Sequence, residues 1–126
     1  MTNDEIINTI KKLSYHVSIL GDTIDIENNP IEHLIISKNW DESDLNEVYD
    51  IFEEWDKRIE SGEKINKANF EHDFSSNLKI SYQGLKTIVL AFYKSGQWTN
   101  VCEAYVDAFG DCPPTEYLSI MRREYR

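Results

Sequence analysis

Residues 41–62 read DESDLNEVYDIFEEWDKRIESG, and this stretch decides the fold. Leu45, Val48, Phe52, Trp55 and Ile59 recur at intervals of 3, 4, 3 and 4, the period that places apolar side chains on one face of an α-helix. Asp41 is placed to cap the first turn, and Glu42 and Asp44 complement the positive end of the helix dipole. Lys57 and Arg58 fall near the negative end, and Ser61-Gly62 stops the run. Period, cap and dipole agree on a helix over 41–59.

The same grammar extends in both directions. Upstream, Ile6, Ile10, Leu13, Val17 and Leu20 recur at 4, 3, 4 and 3, which predicts an N-terminal helix over 4–20, capped by Thr2 or Asn3 and closed near Gly21. Its seam fits two destinations, the interior of a bundle or a contact between copies. Residues 22–28 form a loop, and Asn29-Pro30 opens a short apolar helix through Ser37, with proline in the first turn. Downstream, Phe70, Phe74 and Leu78 predict a helix over about 66–77. Ser81 caps the next, which runs to Tyr93 and is apolar on much of its circumference, as a central element must be. Gln97–Phe109 is a further helix, and Cys112-Pro113-Pro114-Thr115 is a turn before a terminal helix carrying Tyr117, Leu118 and Met121. The expected fold is all-α, a single compact multi-helix bundle of six to seven short helices. One domain spans 1–126, with 110–126 as a C-terminal helical extension.

Composition agrees with a folded core. Of 126 residues, 40% are hydrophobic and 12% aromatic, too many for an acidic disordered segment. The N-terminus is acidic where a signal peptide is basic and apolar, and the longest strongly apolar run, Thr87–Tyr93, is far short of a membrane span. Cys102 and Cys112 are separated by mostly helical chain and are read as two free thiols. These features predict a cytoplasmic, unprocessed chain.

Segmented in this way, the second half resembles a known family. The pattern Phe70-x3-Phe74-x3-Leu78-Lys79-Ile80 followed by GLKTIVLAFYKSGQW over 84–98 is similar to the YhaI-like family of small uncharacterised helical proteins of Bacilli. In the first half, Lys11 to His16 and the Asn29-Pro30 helix start run parallel to it. The likeness covers about residues 6–109. It implies a helical cytoplasmic protein, in keeping with assembly into oligomers, and transfers no functional residue.

Motifs for catalysis are absent from the sequence. His16, His33 and His72 never pair at the spacing that puts two ligands on one helix face. Glu71-His72-Asp73 points in three directions around its helix. Cys102 lies on an apolar face between Trp98 and Tyr105, the setting of an inert thiol. Cys112 lacks a basic neighbour to activate it. The five glycines occur singly, so no loop cradles a phosphate. The expectation is a non-enzymatic protein with no cofactor and no metal.

Charge has the clearest spatial logic. Residues 1–75 hold 18 acids and 7 bases, whereas 76–126 hold 5 acids and 6 bases, within a formal net charge of −10. Such a surface repels phosphate backbones, which argues against direct nucleic-acid binding. Eight acids and no base lie between Asp41 and Asp56. With the seam facing inward, Asp41, Glu42, Asp44, Glu47, Asp50, Glu53 and Glu54 spread over the outward arc, and like charges at i, i+3 and i+4 cost about a few tenths of a kcal/mol each. Tyr49 lies off the seam, either as an exposed anchor or packed on a neighbouring helix. The arc is either a solvated face or a docking surface for a basic protein partner. On the second reading the protein is of inhibitor or immunity type, an antitoxin or nucleic-acid mimic opposing a toxin, nuclease or DNA-handling protein. The alternative is a homo-oligomeric scaffold or regulatory subunit assembled through the helix 4–20. The arginines of the tail 117–126 could neutralise the acidic half or join subunits.

Overall fold

The computed structural model describes residues 2–25 and 27–120, and within them it is all-helical. Six α-helices follow one another: α1 (Asn3–Asp22), α2 (Pro30–Ser37), α3 (Glu42–Glu60), α4 (Lys67–Leu78), α5 (Tyr82–Ser95) and α6 (Thr99–Asp107), then a 3-10 turn (Thr115–Tyr117). The helix starts lie where capping chemistry puts them. Thr2, Asp41, Asn66 and Ser81 each accept a backbone N–H of the first turn. Gly96, at φ 79°, ends α5 and lets the Gln97 N–H reach the Phe92 carbonyl at 3.0 Å.

α5 is the central helix. It packs against α2, α4, α6 and the 3-10 turn, while α3 packs against α4 and α6. Leu85, Ile88, Val89 and Phe92 of α5 meet Val48 and Phe52 of α3, Phe70 and Phe74 of α4, and Val101 and Tyr105 of α6 in one buried cluster. Its middle is aromatic. Phe52 lies 4.7 Å from Phe92, 5.5 Å from Trp98 and 5.6 Å from Phe74, centroid to centroid, in the range where rings attract beyond their buried area.

Two elements differ from the sequence expectation, and for a third one of its two expected destinations is excluded. α6 begins at Thr99 because Trp98 takes a left-handed backbone (φ 49°), and that turn brings its indole onto Phe52. Over its described residues the expected terminal helix is not α-helical. Pro113 and Pro114 withhold two N–H donors, and in the described residues after them a single 3-10 turn forms, with Tyr117 and the following Ile120 buried. The expected positions Met121, Arg122, Arg123 and Arg126 lie outside the described residues. Finally, α1 buries no residue at all and contributes nothing to the core.

Candidate functional site

The acidic arc of α3 is presented on a rigid support, because Val48, Ile51, Phe52 and Trp55 are buried beneath it. Ile51 extends the buried face beyond the sequence-derived seam. The Trp55 indole N–H donates to Asp73 of α4 at 2.8 Å. Each acid can now be placed. Asp41 and Asp44 close a capping box: the Asp44 N–H donates to Asp41 at 2.8 Å and the Asp41 N–H to Asp44 at 3.0 Å. Glu53 pairs with Lys57 at 3.7 Å and Glu54 with Arg58 at 3.2 Å, all four solvent-accessible. Asp56 accepts a hydrogen bond from the Asn100 amide of α6. Glu42, Glu47 and Asp50 stand exposed on the outward side. Tyr49 takes the second of its two expected positions: it packs on neighbouring helices, 5.9 Å from Phe92 and 5.5 Å from Trp98. The arc therefore remains acidic, but several of its carboxylates have work within the chain.

The other exposed surface is α1. Ile6, Ile7, Ile10, Leu13, Tyr15, Val17, Ile19 and Leu20 are all 42% to 65% exposed. Gly21, near its C-terminal end, is the one residue of the helix that is half-buried rather than exposed. A Cβ built on Gly21 would sit 3.4 Å from Ile36 Cγ2 of α2, an ordinary van der Waals contact. Between the two helices runs an open cleft of about 660 Å³, lined by Ile10, Leu13 and Val17 on one side and by His33 and Ile36 on the other. Ile36 is itself exposed. Sequence reasoning missed α2 as a wall of this cleft. The available signal was Ile36 beside Ile35, two adjacent isoleucines on a short helix that cannot both face one core.

Elsewhere the chemistry is structural. Lys86, buried along its stem, reaches Glu116 at 2.9 Å and lies over the Tyr82 ring, fastening the 3-10 turn to α5. The hydrogen bond from Lys86 holds the Glu116 carboxyl below its ordinary range. Burial pushes the Cys102 thiol up to about 12, and its Sγ lies 3.6 Å from the Val89 carbonyl. Burial, then the hydrogen bond to Glu71, pushes the Tyr105 phenol up. Cys112 is exposed. Among the described residues no three His, Cys, Asp or Glu side chains converge, and no helix is long and apolar enough to cross a membrane.

No curated protein and no solved structure matches the chain. The sequence profile of a family described as protein of unknown function (DUF1878) matches residues 3–108, from the first turn of α1 through α6. The match takes in the exposed helix as well as the packed body, and the chain belongs to the DUF1878 family.

Proposed function

We propose that this protein acts by binding polypeptides rather than by catalysis, and that α1 with the α1–α2 cleft is the surface it binds with. One observation carries the reading: a twenty-residue helix with eight half-exposed apolar side chains and no buried residue. Six of them, Ile6, Ile7, Ile10, Leu13, Val17 and Leu20, share one face, and a contiguous apolar surface of this extent marks a contact site. Binding is tested by a photoreactive phenylalanine analogue at Leu13 in the source cell. An adduct heavier than 14.8 kDa is expected from Leu13 and none from Ser76 on the exposed side of α4. Absence of any adduct at Leu13 overturns the reading.

The acidic arc supports a second reading, an inhibitor or immunity-type protein that docks a basic partner. Glu42, Glu47 and Asp50 are exposed with no partner among the described residues. The neighbouring pairs to Lys57 and Arg58 are solvent-accessible i, i+4 contacts, worth about 0.3–0.5 kcal/mol, and yield easily to a partner's cations. Reversing Glu47, Asp50 and Glu54 to Lys is expected to abolish capture of a basic partner and leave the melting temperature unchanged. Capture that survives the reversal removes this reading. Action in the cytoplasm, without direct nucleic-acid or membrane contact, belongs to the same proposal, as does the narrower YhaI-like assignment within the family.

A further inference from the structure

We infer that the occupant of the α1–α2 cleft is a second copy of this chain, its own α1 laid against the stripe Ile6, Ile10, Leu13, Val17 and Leu20. This rests on the reading of α1 as a docking surface and adds the identity of what docks. The stripe repeats at the spacing that keeps apolar side chains facing a partner helix along its length. Among the described residues of one chain it has no such partner, since its five members are 42% to 63% exposed. Ile36, 46% exposed on the opposite wall of the cleft, continues it. Together with Ile7 these are seven side chains; at about 100 Å² apiece they offer about 700 Å², close to the ~800 Å² that each partner contributes to a stable interface of standard size.

Charge does not oppose pairing with an identical copy. The chain carries −10, yet residues 3–22 hold three acids against two lysines. Asp4, Glu5 and Asp22 sit at the two ends of the helix, and Lys11 and Lys12 lie off the stripe. The positions that flank the stripe in the heptad are Ile7, Thr9, Ser14, His16 and Gly21, where pairing helices commonly place charges to choose their partners. With no acid or lysine at any of them, the flanks neither repel an identical helix nor favour an acidic or a basic one. A surface that complements itself is what a two-fold contact requires. The helix also needs such cover. Four isoleucines and a valine lower its intrinsic propensity, and a lone helix of this length is marginal in water without packing. Tyr15 and Ile19 point away from the stripe and stay outside the pairing.

Light scattering on the full chain at tens of micromolar tests the inference. The expected mass is two copies of 14.8 kDa, or a higher whole multiple. L13K/V17K and L13E/V17E are each expected to run as one copy. Both should keep the near-ultraviolet dichroism of the aromatic core, because neither position belongs to it. Mixing the two variants is expected to restore the multiple, since stripe then meets stripe with opposite charge. A wild type that stays at 14.8 kDa, an assembly that both variants leave intact, or a mixture that remains single overturns the inference. The Leu13 crosslink separates this failure from that of the broader reading. An adduct to a different protein from a single-copy wild type removes only the second copy as occupant, whereas no adduct at all removes α1 as a docking surface.

Discussion

The two cysteines differ in burial, and that difference is open to direct measurement. A thiol pushed up to about 12 in the core holds almost no thiolate near neutrality, whereas Cys112 is exposed in a turn. A disulfide reagent is therefore expected to titrate one thiol per native chain, at Cys112, and two in denaturant; two fast native thiols would contradict the packing around Cys102. Glu116 gives a pH-dependent test. Its folded pKa lies below the unfolded value of about 4.3, so the Lys86–Glu116 pair contributes fully above that value and is lost as pH falls through the folded one. The stability gap between the wild type and Glu116→Gln should accordingly narrow as urea denaturation is repeated from pH 6 downward. A gap that is constant with pH would show the ion pair to be irrelevant.

The elements were legible wherever local chemistry marks their ends. The capping box of α3 is written in Asp41 and Asp44, and its loss is a prediction about that helix. Asp41→Ala should cost about 1 kcal/mol in urea denaturation at neutral pH, because a first-turn N–H loses its acceptor. What the period alone leaves open is which faces find neighbours. The spacing in α1 is as regular as that in α3, yet one helix buries four side chains and the other none. The difference is tertiary: α3 packs against α4 and α6, and beyond the narrow seam Ile51 is buried and Tyr49 packs on Phe92 and Trp98. In the candidate site, the pairs Glu53–Lys57 and Glu54–Arg58 were readable from i, i+4 spacing. The Ile36 wall had a local signal in the adjacent Ile35, whereas the Asp56–Asn100 bond joins residues far apart in sequence and no local signal announces it.

At the scale of the whole molecule, the residues that make the core and the residues of the exposed helix form separate sets. Trp40, Trp55 and Trp98 all belong to the packed body, where Trp55 is buried and the other two pack against the core. α1 contains no tryptophan, although it supplies twenty residues of helix. Indole fluorescence is thus an optical tag on one part of the chain only, while far-ultraviolet ellipticity counts both. In dilute protein, where α1 has no cover, the ellipticity curve in urea is expected to begin falling before the fluorescence curve moves, and raising the concentration should bring the two together. Superimposable curves at every concentration would mean that α1 and the body melt as one unit. Three tryptophans placed by core packing thereby give the molecule a built-in means of telling the melting of the body apart from that of α1.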